Sequence, residues 1–179
     1  IETVNRDIAT EVIPTKFDVE NFATDLENTG LSFDRKIIDR FITSLLTKKF
    51  LILSGVSGSG KTKLAQAFAS WICKTNDQFE IVPVGADWTN KEHLLGYYDS
   101  INEKYVSQPT LSLILEARKK ENENKPYFLI LDEMNLSHVE RYFSDFLSVL
   151  ESGGDIHLHD SKEVEDNQAI PQKIIQLPE

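Results

Sequence analysis

The sequence predicts an α/β fold, a mainly parallel sheet with helices on both faces. Three observations carry that expectation. Short continuous apolar runs, Phe50-Leu51-Ile52-Leu53 and Tyr127 to Leu131, have the length and composition of buried strands, and Phe79 to Val84 reads as another strand between them. Segments with helical apolar spacing lie between them. Strand-then-helix alternation of this kind packs as a parallel sheet covered by helices. The third observation is "SGVSGSGKT", residues 54–62, a glycine-rich stretch set between the first apolar run and a helical segment.

The elements follow in chain order. Residues 1–16 are polar, carry Pro14 and read as an extension or linker; with a short helix at Asp18–Asn28, ended by Gly30, they make residues 1–30 an N-terminal extension. Ser32 is the expected cap of a helix with Phe33, Ile37, Ile38, Phe41, Ile42, Leu45 and Leu46 on its apolar face. After the glycines, Leu64, Phe68, Trp71 and Ile72 mark the buried face of another helix. Thr89-Asn90-Lys91-Glu92 and Ser137-His138-Val139-Glu140 have the form of capping boxes. The first opens a short helix closed by Gly96; the second opens one running inward through Tyr142, Phe143, Phe146, Leu147 and Leu150 to Gly153-Gly154. Pro109 suits the first turn of a helix carrying Leu111, Ile114 and Leu115. Residues 121–126 read as a loop, the tail from Asp155 as polar with a hairpin, and Lys173 to Leu177 as a short strand.

Composition narrows the function classes. The 179 residues suffice for a domain with a substantial core, and 40% hydrophobic and 27% charged residues fit a soluble globular protein. No run of eighteen apolar residues offers a membrane span, and the N-terminus has neither the basic nor the apolar part of a signal peptide. The single cysteine, Cys73, permits no internal disulfide and reads as a small packed residue in a reducing, cytoplasmic setting. A net charge of -10 argues against a broad basic face for nucleic acid on this segment. The chain opens on Ile1 rather than Met, so it reads as a piece of a longer protein.

The chemistry centres on Gly55-Val56-Ser57-Gly58-Ser59-Gly60-Lys61-Thr62, which fits G-x-x-x-x-G-K-[ST] at every fixed position. Glycines let such a loop curl until successive backbone N–H groups face one anion, and the following helix N-terminus adds partial positive charge. Lys61 is the residue to reach the β/γ-phosphates, the Thr62 hydroxyl is a ligand for Mg²⁺, and Lys63 follows in the same turn. The stretch "YFLILDE", 127–133, supplies the second half: five apolar residues, then Asp132 for the metal shell and Glu133 to orient and polarise a water. A kinase of this architecture attacks with a substrate hydroxyl and has no use for Glu133 there. This pattern specifies a nucleoside triphosphate without specifying its base. His157 and His159 would put two imidazoles on one strand face, beside Asp155 and Asp160, but no third metal ligand is specified. Trp88, Tyr97, Tyr98 and Tyr105 are open to two roles, local packing or a partner-facing surface.

"FLILSGVSGSGKTKLAQAFA" followed by "LILDEMNLSHVERYFSDFLSVLE" resembles the AAA+ NTPase subunit of 5-methylcytosine-specific (modification-dependent) restriction systems, in the clade shared with dynein-related AAA+ ATPases. Residues 84–106 also resemble the segment between the two nucleotide motifs of that group. The resemblance implies a P-loop NTPase αβα sandwich over residues 31–179, with Gly55–Thr62 as Walker A and 127–133 as Walker B. It implies Mg²⁺-dependent use of ATP or GTP in a ring, often a hexamer, joined to a nuclease subunit. DNA would be engaged through other domains or the assembled ring, with no membrane involved. Asn135 matches an asparagine that follows the acidic pair, with an implied part in holding Glu133 or a neighbouring subunit's loop. The sensor strand, arginine finger and lid of the family have no match here, so the module is expected to be C-terminally incomplete. The sheet should then show a gap between the 50–53 and 127–131 strands unless Lys173–Leu177 slips into it.

Overall fold

A computed structural model describes residues 18–159 and 173–175. The extension expected over residues 1–16 and Asp160 lie outside them. The chain divides into two compact units, residues 1–47 and 48–179. The division therefore falls after the second helix, not near residue 30.

In the first unit, α1 (Val19–Asn28) opens on Asp18, whose carboxylate accepts the Glu20 N–H at 2.9 Å. It closes at Gly30, where φ is 81° and the Leu31 N–H returns to the Leu26 carbonyl at 3.3 Å. The next helix, α2 (Arg35–Thr47), begins later than Ser32 predicts. Asp34 accepts the Lys36 N–H at 2.8 Å, and a carboxylate next to the first turn outcompetes the Ser32 hydroxyl two positions upstream of it. Arg35 ties the two helices with a forked pair to Glu20 at 2.6 and 2.7 Å.

The second unit begins with the segment 50–53 and the glycine loop, then α3 (Lys61–Ile72) and β1 (Phe79–Pro83). A short α4 (Glu92–Leu95) leads into a hairpin of β2 (Gly96–Asp99) and β3 (Lys104–Ser107), followed by α5 (Pro109–Ala117) with its proline in the first turn. Then come β4 (Phe128–Asp132), α6 (Val139–Tyr142), α7 (Ser144–Ser152) and an antiparallel pair of β5 (Asp155–His157) with β6 (Lys173–Ile175). β1 and β4 pair in parallel, Phe79 opposite Phe128 through Pro83 opposite Asp132, and both α3 and α5 contact this pair.

Several expectations need correction. Phe50–Leu53 is not a strand, and Ile52 is 70% exposed rather than buried. A strand exists by its ladder, and no described residue pairs with this segment, including β4. Lys173–Ile175 does not fill that place; it pairs with β5. Nor is β4 buried on both faces: with one ladder partner among the described residues, each of its positions is only part-buried. Neither expected capping box forms. Asn90, not Thr89, accepts the Glu92 N–H at 3.0 Å, and the Ser137 hydroxyl is used elsewhere. The helix expected from Ser137 to Leu150 breaks at Phe143, whose backbone (φ -115°, ψ 0°) leaves the helical range.

The core lies between α4, α5, α6, α7 and β5, where Leu94, Leu95, Leu111, Tyr142 and Ile156 are at most 1% exposed. Truncating a leucine in such a core to alanine costs about 2–5 kcal/mol. Gly96 is required at the entry to the hairpin: its φ is 106°, and a Cβ there would stand 2.0 Å from the Val106 carbonyl oxygen.

Candidate functional site

The glycine loop leads directly into α3. Gly58 and Gly60 have φ of 76° and 85°, left-handed values that a side chain would oppose. Gly60 is the N-cap of α3 and has no side chain to satisfy the first turn. The backbone N–H groups of that turn are therefore left for a ligand, with the positive end of the helix dipole behind them. Gly55, Val56, Ser57, Gly58 and Ser59 are exposed, as an anion cradle must be; Lys63 is exposed one residue beyond Thr62. Lys61 folds back over the loop, its Nζ donating to the Gly55 carbonyl at 3.1 Å and the Val56 carbonyl at 2.9 Å. These bonds hold the ammonium above the curled backbone.

β4 brings the acidic pair to the same place. The Thr62 hydroxyl donates to Asp132 Oδ1 at 2.8 Å across 70 residues of sequence. The parallel register does this work: it ends β4 beside Pro83, and the Val84 N–H bonds the Asp132 carbonyl at 2.9 Å. A half-buried hydroxyl and carboxylate beside an anion cradle are the hard oxygen donors that Mg²⁺ takes, so these residues fit that ion. Among the described residues, no group of three or more His, Cys, Asp or Glu is arranged to hold a metal. The two histidines do not share a face in a metal site. His157 is exposed, while His159, 6% exposed, packs against the rings of Tyr98 and Tyr105.

Glu133 has φ 53° and ψ 39°, an uncommon conformation for a non-glycine residue, worth about 1–3 kcal/mol of strain. This turn takes the chain sharply off β4 and leaves Glu133 exposed at the mouth of the site. Its N–H donates to Asp132 Oδ1 at 3.0 Å, so the same oxygen that meets Thr62 also fixes the start of the turn. Residues 134–136 continue as one 3₁₀ turn, with the Leu136 N–H on the Glu133 carbonyl at 2.9 Å. Asn135 is exposed on this turn and makes no hydrogen bond to Glu133 among the described residues.

Sequence reasoning missed the residues behind this turn. Ser137 donates its hydroxyl to the Trp88 carbonyl at 2.5 Å, and Tyr142 donates its phenol to the Met134 carbonyl at 3.2 Å. Trp88 meets Tyr142 edge to face at 5.3 Å and stacks on His93 at 5.8 Å. Trp88 thus packs locally, behind the turn that carries Glu133. Nothing in a single sequence signals that partnership, because the partners come from separate elements.

A profile of the family described as AAA domain (dynein-related subfamily) matches residues 50–173. The adapter protein unc-53 of Caenorhabditis elegans is 31% identical over 84 residues, 46% of this chain and 5% of that protein's length. No solved structure matches the chain. No helix among the described residues is long and apolar enough to cross a membrane. The α/β fold, the glycine loop running into α3 and the acid-ended β4 beside it agree with the profile match over most of the chain, and the chain belongs to the dynein-related subfamily of AAA domains.

Proposed function

We propose that this domain binds a nucleoside triphosphate, ATP or GTP, with Mg²⁺ and hydrolyses it. The observation that carries the reading is the 2.8 Å contact of Thr62 with Asp132, which joins the glycine loop to the acid-ended strand. The loop N–H groups and Lys61 bind the phosphates, and Thr62 with Asp132 holds the cation. A Mg²⁺ held by Thr62 and Asp132 would supply positive charge against the phosphates. Glu133 orients a water and draws on its proton as the new P–O bond forms and the β–γ bridge breaks.

The finer reading is a motor subunit of a modification-dependent DNA restriction complex, working as a ring, often a hexamer, with a nuclease subunit in the cytoplasm. It is supported by the "DEMNLS" and "VERYFSDFLS" stretches, which resemble that family. The 179 residues by themselves are expected to hydrolyse little, since an arginine finger supplied in trans can contribute ~10³–10⁵ in rate. A second reading is a nucleotide-switched assembly scaffold, favoured by the partial similarity to an adapter protein. The test is to assay the full-length protein with its nuclease partner on modified DNA, using hydrolysable and non-hydrolysable triphosphates. Cleavage that requires hydrolysis supports the motor. Assembly driven equally by the non-hydrolysable analogue, without DNA cleavage, supports the scaffold.

A further inference from the structure

We propose that Tyr142 and Ser137 are positioning residues for Glu133, acting through the turn that carries it. The inference rests on Glu133 as the residue that activates water. Among the described residues no hydrogen bond or ion pair holds the Glu133 side chain, so the path of its backbone decides where the carboxylate can go. That path is strained at Glu133 and continues into one 3₁₀ turn, a short element with little stability of its own. Strain of this kind persists only where surrounding structure holds it.

Two side chains do the holding. Tyr142 is 0% exposed, and its hydroxyl reaches the Met134 carbonyl, one residue past Glu133. A phenylalanine would fill the same apolar space, so the hydroxyl is the part of Tyr142 that packing does not explain. Burial pushes its pKa up, so the phenol stays a donor at neutral pH. Ser137 ends the turn and fastens it to the Trp88 carbonyl. The Trp88 ring then closes the circuit by meeting the Tyr142 ring at a near-right angle. The Val84 N–H bond to the Asp132 carbonyl carries the β1–β4 pairing up to the start of both loops. The loop after β1 and the turn after β4 thereby form one braced body, with Glu133 at its exposed end. Lys61 and the glycine loop make none of these contacts, so loosening the brace should slow the chemical step and leave nucleotide binding alone.

The experiment compares Tyr142→Phe, Ser137→Ala and Glu133→Gln in the full-length protein, with each of the first two also combined with Glu133→Gln. Single-turnover hydrolysis and nucleotide affinity are measured for all. Tyr142→Phe and Ser137→Ala should each slow turnover about tenfold, the order of one lost hydrogen bond, with affinity changed less than about twofold. In the Glu133→Gln background neither should slow it further, because residues acting as a unit are not additive. Full turnover by Tyr142→Phe and Ser137→Ala beside a slow Glu133→Gln overturns this inference and leaves the water-activation reading standing. So does an undiminished slowing in the Glu133→Gln background, which would mark a general loss of structure. Wild-type turnover by Glu133→Gln overturns the water-activation reading, and this inference with it.

Discussion

The hydrogen bonds by which Lys61 closes the glycine loop span six and five residues of sequence, whereas Ser137 fastens the turn after β4 to a carbonyl 49 residues away. The first region is a local device. Its glycines and its lysine shape it, and its surroundings need only leave it exposed. The second is a tertiary device, a strained corner held by Trp88, Ser137 and Tyr142 from three segments. On the proposed function, binding and chemistry are therefore built to different standards within one site: the proposed binding half is expected to tolerate change elsewhere in the fold, and the proposed hydrolytic half to depend on the packing behind it.

Substitutions can break or sharpen that contrast. The largest effect is expected at Glu133. Glu133→Gln keeps the shape of the side chain and removes its basicity, so turnover should fall by ~10²-fold or more while nucleotide affinity holds. Steady-state hydrolysis beside a fluorescent-nucleotide titration reads both. A parallel loss of affinity would show that the two halves are not separable.

The next effect belongs to the binding half. Lys61→Ala removes a charged donor from the phosphates and should weaken triphosphate affinity by roughly 1.5–3 kcal/mol. The fold should be unaffected, because Lys61 bonds only exposed loop carbonyls. Equal affinities for wild type and variant would remove Lys61 from the phosphate site. A large drop in melting temperature would show instead that the loop is not the local device described.

The smallest effect lies away from both halves. Lys91 pairs with Asp145 at 2.7 Å, with side chains 35% and 36% exposed, and so joins the start of α4 to α7. Such a pair is screened by solvent and contributes about 0.2–1 kcal/mol. Lys91→Ala should lower stability to denaturant by that amount at low salt and by less at high salt, with turnover unchanged. A turnover defect would mean that the brace around Glu133 extends to α7.

Much of the site was legible without coordinates because its signals are local. Glycine at 55, 58 and 60, then Lys61 and Thr62, can be read as a loop opening a helix, and α3 begins at Lys61. The apolar run ending in Asp132 and Glu133 is β4. Where reading failed, a distant partner was the cause. Phe50–Leu53 has strand composition but no described ladder, so composition alone could not make it a strand. Ser137 has the residue type and spacing of a cap, yet its hydroxyl finds the Trp88 carbonyl first. The helix periodicity places Tyr142, Phe143 and Phe146 inward, as they are, but it also puts Leu147 inward, which is 37% exposed, and it does not show the break at Phe143.

The sequence by itself determined the curled glycine loop that opens α3 and the acidic pair at the end of a strand, because glycine conformation, helix polarity and apolar run length act over a few residues. Only the tertiary structure decided that β1 pairs with β4, which brings Thr62 to Asp132, and that a buried phenol holds the turn beyond Glu133. The reason is physical. A ladder register and a buried hydroxyl's partner are chosen by what lies across the core, after the chain has closed loops that cost entropy in proportion to no local pattern.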